Sequence, residues 1–133
     1  MSNKKIYYLE RAAAFIAAII LAQTLYFKFT AHPDSVYIFN QIGGEPYLRI
    51  GSGIVELIIA ILLVYRKTTL LGAILGLGVM VGAIGQHIFV LGIIVNDDGG
   101  GLFSLALITF TCCLIIVYLK RNELITFLKK IKG

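Results

Sequence analysis

The sequence predicts an all-α integral membrane protein, a four-helix bundle with both termini cytoplasmic. Three observations carry that reading. Of 133 residues, 59% are hydrophobic and only 14% are charged, and the mean hydropathy is +0.91. A water-soluble domain of this size needs far more polar surface to cover its core, so the apolar excess faces lipid. Second, four apolar runs approach the ~20 residues that cross a hydrocarbon layer about 30 Å thick as helix. Third, the basic residues collect at the chain ends and in one short loop, a pattern of membrane topology rather than of a nucleic-acid face, despite a net charge of +5.

The runs cover about 8–29, 49–65, 69–95 and 102–119, followed by an amphipathic tail at 120–133, within one domain spanning 1–133. The first run reads as a retained helix rather than a cleaved signal. Ile20-Leu21-Ala22 is a poor cleavage site, and Glu10 and Arg11 interrupt the basic lead-in. The second and fourth runs are short for a span. The third, LLGAILGLGVMVGAIGQH, holds the small-xxx-small pairs Gly72/Gly76 and Gly78/Gly82, which suit close helix packing within the bundle or a homodimer. The tail sets Leu124, Ile125, Phe127, Leu128 and Ile131 against Lys129, Lys130 and Lys132, as in a short helix lying on an anionic membrane surface.

Ten of the twelve basic residues fall on one side of these crossings, leaving Lys28 and Arg49 on the other. The positive-inside rule then makes both termini and the Arg66–Lys67 connection cytoplasmic. The opposite connections, 30–48 and 96–101, carry Asp34, Glu45, Asp97 and Asp98 and face outward.

Polar residues inside the runs are the candidates for chemistry. Gln23 and Lys28 lie near the outer end of the first helix. Glu56 lies roughly 10 Å below Arg49 on the second, and Gln86 and His87 roughly 12 to 14 Å from the outer end of the third. Three helices thus bring polar groups to one depth. Ionisable side chains are costly in lipid and turn inward to pair or to line a cavity. Glu56 has no partner on its own helix, so an ion pair with Lys28, supported by His87, is expected. The alternatives are structural: Lys28 snorkelling outward, His87 as a satisfied bundle histidine, and Gln23 and Gln86 as helix–helix hydrogen-bond partners.

No metal site is expected. The two histidines, His32 and His87, lack ligand spacing, and adjacent Cys112 and Cys113, with no C-x-x-C, read as small apolar fillers. NDDGGG lacks the lysine and strand–helix setting of a phosphate cradle and reads as a flexible turn whose acids could rim an outer pocket.

The order of these features resembles a known family. Arg11 opens the first helix and Lys28 ends it; GEPYLRIGSGIVELIIAILLV follows with Gly53-x-x-Glu56, and a glycine-rich third helix ends in His87. Together with YFKFTAHPDSVYIFNQ and LGIIVNDDGG, this is similar to the DoxX-like family of small four-helix membrane proteins over about 11–119. The chain departs from the family at Thr24, where a small residue is common. The resemblance implies a multi-pass protein of the bacterial inner membrane. It also implies a redox-associated accessory subunit, with a bound quinone or lipid as the ligand of the outer polar cluster. The chain holds no cofactor motif of its own, so an electron carrier would be that quinone or belong to a protein partner. A non-catalytic scaffold or assembly factor is the competing reading. A small transporter is the third, disfavoured because four helices leave little room for alternating access.

Overall fold

The structure, a computed structural model, describes residues 3–95 and 98–132. Asn96 and Asp97, part of the expected outer turn, lie outside the described residues. Among those described there are four helices long and apolar enough to cross a membrane. They are α1 (Asn3–Phe29), α3 (Tyr47–Val64), α4 (Thr69–Gln86) with its flanking turns, and α5 (Gly101–Leu119). Two shorter helices, α2 (Pro33–Ile42) and α6 (Arg121–Lys132), lie at opposite ends of the bundle.

The spans run up, down, up, down. α1 packs on α3 and α5, and α4 completes the ring by packing on the same two helices. Small side chains make this possible. Ala13, Ala14, Ala17 and Ala18 form the buried face of α1, meeting Ile59 and Leu63 of α3, Ala73 and Met80 of α4, and Cys113 and Ile116 of α5. The bulky residues point the other way: Ile19 is 65% exposed and Phe89 84%. A core of small residues under an aliphatic exterior is what lipid solvent requires, because lipid supplies no hydrophobic drive between helices and packing must replace it.

The glycines of α4 divide accordingly. A Cβ on Gly72 would meet the Leu63 backbone nitrogen at 2.9 Å, and one on Gly76 would meet Cys113 Sγ at 2.8 Å. These two glycines set the approach of α4 to α3 and α5. Gly78 and Gly82 face open space.

Four boundaries differ from the sequence reading. α1 begins at Asn3 rather than near 8, and α3 runs from Tyr47 to Val64 rather than over 49–65. The stretch 30–48, expected as a loop, holds α2. Its start is set by the His32 cap, whose Nδ1 accepts the Asp34 N–H, and by Pro33 in the first turn. Gly43, at φ 95°, ends it, its N–H donating to Phe39 O. The third span stops at Leu91, not Val95. After Gln86 the chain makes a π-helical turn, His87–Leu91, and Gly92 at φ 79° leaves the helix.

α1 and α3 are fastened reciprocally. Arg49 of α3 donates through Nη1 to the Lys28 carbonyl at the end of α1, while its Nε donates to both oxygens of Glu45 at 2.9 Å. At the opposite end Arg11 of α1 donates to Val64 O at 2.9 Å, at the end of α3, and to Thr69 Oγ1 at 2.5 Å. Arg11 is held in turn by two 2.8 Å bonds to Glu10. A cation at a helix C-terminus satisfies carbonyls that have no partner within the helix and complements the helix dipole. The sequence reading treated Arg11 as a topological flank; it is also a cap.

Candidate functional site

The polar residues of three helices meet in one cavity of about 270 Å³ in the half of the bundle away from the termini. All five sequence-predicted residues line it: Gln23 and Lys28 from α1, Glu56 from α3, Gln86 from α4 and His87 from the π-turn. Apolar walls come from Ile20, Phe27, Met80, Leu102 and Leu105 among others. α2 closes one side, contributing Asp34, Ser35, Ile38 and Phe39.

The ion pair expected from the sequence is present. Lys28 Nζ lies 2.5 Å from Glu56 Oε1, and both side chains are largely withdrawn from the surface, at 15% and 8% exposure. Lys28 also donates to Ser52 Oγ at 3.2 Å and sits 5.5 Å from the centre of the Phe39 ring, within cation–π range. It turns inward; it does not snorkel.

Thr24 supplies the remaining partner of Glu56. Its hydroxyl lies 2.8 Å from Glu56 Oε2 and 2.7 Å from the carbonyl of Leu21. A hydroxyl has one proton and can donate to only one of them. When Glu56 is ionised, Thr24 donates to the carboxylate. When Glu56 carries a proton, the carboxyl donates to Thr24, which turns its own proton to Leu21 O. Both charge states are hydrogen-bonded with no movement of heavy atoms.

Thr24 and Ser52 were missed as site residues. The available signal was spacing: Thr24 precedes Lys28 by four, and Ser52 precedes Glu56 by four, so each pair shares one helix face.

His87 does not support Glu56 by a hydrogen bond. Its Nδ1 lies 3.0 Å from Gly92 O. A carbonyl can only accept, so Nδ1 carries the proton and Nε2 is the basic nitrogen. The ring is buried and packs edge-on against Phe103 with centroids 5.5 Å apart. Because the helix ends at Leu91, His87 is about one turn from its end, not the two or more expected. Gln23 and Gln86 also differ from the helix-locking role. Among the described residues no hydrogen bond engages either amide, and both are exposed at the cavity.

Asp98, expected in a flexible turn, organises it and rims the cavity. Its carboxylate accepts N–H groups from Val95 at 3.0 Å, Gly100 at 2.8 Å and Leu102 at 3.1 Å, the last in the opening turn of α5. Partial burial pushes this carboxyl up, but the three backbone donors and nearby His87 outweigh it and hold the group below the usual aspartate range.

Among the described residues no group of three or more His, Cys, Asp or Glu side chains is arranged to hold a metal ion. Cys112 and Cys113 are free and buried among the apolar residues of α5. Comparison of the chain with protein-family models, curated proteins and solved structures finds no match.

Proposed function

We propose that this multi-pass membrane protein holds the head group of an amphipathic molecule, a quinone or a lipid, in the cavity around Lys28, Glu56, Gln86 and His87. In this reading it serves as a DoxX-like accessory subunit of a redox assembly in the bacterial inner membrane, with both termini cytoplasmic. The observation that carries the reading is the pair of unengaged amides, Gln23 and Gln86, beside a satisfied ion pair in an apolar cavity. Ligand sites combine apolar walls with a few convergent polar groups, and about 270 Å³ is near the lower end of their ~300–1,000 Å³ range. That volume suits a ring-sized head, with an apolar tail left in lipid.

The donor set fits a quinone: the two amides can each donate to a carbonyl oxygen. A bound quinone supplies the electron-carrying couple, which the chain itself lacks. The chain's part is protonic. Glu56 is hydrogen-bonded in either charge state through Thr24, and His87 keeps Nε2 basic through its bond to Gly92, so both are fit to exchange protons at the cavity.

The test is His87→Phe, which keeps ring bulk and removes both nitrogens. The expected result is a folded variant that retains less quinone or lipid through purification in mild detergent than the unaltered protein. Equal retention by both, with no response of either to added quinone analogues, would refute the site. One observation favours a second reading, the scaffold: both Glu56 oxygens already have protein partners, as a structural lock requires. The same result would promote it.

A further inference from the structure

At the end of the bundle that carries the termini, a second depression of about 1130 Å³ opens between α1 and α3. Its walls are apolar: Phe15, Ile19 and Ala22 of α1, and Leu57, Ile61 and Val64 of α3. Ala18 and Ala60 form its floor, small enough to leave a trough where larger residues would fill the seam. From Leu57 to Val64 the trough runs about 10 Å along the helix axis. Its mouth is basic on balance, lined by Arg66 and Lys67 of the short turn before α4, by Lys120 between α5 and α6, and by one acid, Glu123 of α6.

The charges at this mouth are unbalanced. Lys120 has a partner in Glu123, 3.4 Å away, but among the described residues neither Arg66 nor Lys67 has an acidic one. Arg66 is not loose, since its guanidinium stacks on the Tyr7 ring at 4.7 Å. The groove therefore presents a held cation, two lysines and one carboxylate above an apolar channel floored by small side chains. None of these residues lines the first cavity.

We propose that this groove binds an anionic phospholipid from the leaflet on the side of the termini, its phosphodiester against Arg66, Lys67 and Lys120 and one acyl chain along the α1–α3 trough. Charge complementarity selects this occupant. An apolar helix from a partner would fill the trough but leave Arg66 and Lys67 at the rim without counter-charge, whereas basic pockets between spanning helices suit anionic head groups. An acyl chain also needs no hydrogen bonds from the trough, and the trough walls offer only hydrocarbon.

The test compares two triple variants with the same loss of charge. Arg66→Gln/Lys67→Gln/Lys120→Gln empties the mouth, and Lys129→Gln/Lys130→Gln/Lys132→Gln removes three cations of α6 that lie outside the groove. A third variant, Ala22→Phe, fills the trough from an exposed position and leaves every cation in place. Retention of phosphatidylglycerol against phosphatidylcholine of identical chains is read by native mass spectrometry from mixed micelles. The mouth variant is expected to bind phosphatidylglycerol on the order of a hundredfold more weakly, as three surface cations allow. Ala22→Phe should weaken both lipids, and the α6 variant, whose lysines lie outside the groove, should lose at least tenfold less affinity for phosphatidylglycerol than the mouth variant. Equal losses in the two triple variants would reduce the effect to bulk charge, and unchanged binding in the mouth variant or in Ala22→Phe would remove the site. Competition by inorganic phosphate alone would mean an anion site without lipid and would equally overturn the proposal.

Discussion

Consider Lys28→Met and Glu56→Gln, singly and together. In the native bundle Glu56 accepts from Lys28 at 2.5 Å and from Thr24 at 2.8 Å while remaining 6% exposed. Lys28→Met leaves a buried carboxylate with Thr24 alone, and breaking a buried pair from one side costs about 3–5 kcal/mol. Glu56→Gln is milder. The amide oxygen can still accept from Thr24 or Lys28, and Ser52 remains 3.2 Å from the ammonium, so the loss is that of a charged hydrogen bond, about 1.5–3 kcal/mol. The double variant leaves no isolated charge and should be no worse than Lys28→Met alone. The expected interaction energy is about 2–3 kcal/mol in the sense that the second substitution rescues the first. Reversible denaturant unfolding in mild detergent, followed by helical circular dichroism, measures it. Strictly additive losses would refute the direct pair, whatever the size of the single effects.

Three other outcomes follow from the same geometry. Gly72→Ala should destabilise by about 1–3 kcal/mol, because its Cβ meets the Leu63 backbone at 2.9 Å, while Gly78→Ala, in open space, should be neutral or gain up to about 1 kcal/mol in helix propensity; equal effects in thermal unfolding would contradict the assigned faces. The Asp98 carboxyl is held low, so its contribution is present above the ordinary aspartate range near pH ~4 and is lost as pH falls through the folded value. Hydrogen exchange at Gly100 and Leu102, corrected for its intrinsic pH dependence, should therefore gain an extra acceleration on acidification, and Asp98→Ala should abolish that step. For orientation, Ser35 is buried and a poor probe, so single cysteines belong at exposed Asn40 and Asn122 after Cys112 and Cys113 are replaced. External labelling should reach the former and not the latter, and the reverse would invert the bundle.

What could be read in the sequence was whatever hydropathy and isolation make visible. Glu56 stands between GSGIV and LIIAILLV, so its partner had to come from another helix, and Lys28 was the cation at matching depth. α2 was hidden because its ten residues mix polar and apolar types and bury only Ser35 and Phe39. Pro33 and Gly43 were its legible marks. The helix end after His87 was hidden for the opposite reason. Ile93, Ile94 and Val95 continue the apolar run, so hydropathy does not see the stop that Gly92 makes in backbone conformation. Arg11 was misjudged in part because a cation near a membrane boundary satisfies the topology rule whether or not it caps a neighbour. Gln23 and Gln86 were placed by depth, but whether an amide is engaged depends on the neighbouring helix, which one sequence does not display.

The exchange of arginines between α1 and α3 divides the bundle mechanically. Sliding one of these helices along the other would shorten one capping contact while stretching its counterpart, and each guanidinium is also braced by a carboxylate of its own segment. The pair behaves as a strut pinned at both ends, with the ion pair of Lys28 and Glu56 between the pins. The other wall of the cavity has no such bracing: α4 is rich in glycine, passes into a widened helical turn at His87 and leaves through Gly92. Any widening of the cavity therefore falls to that wall and to α2, while the charged wall keeps its register.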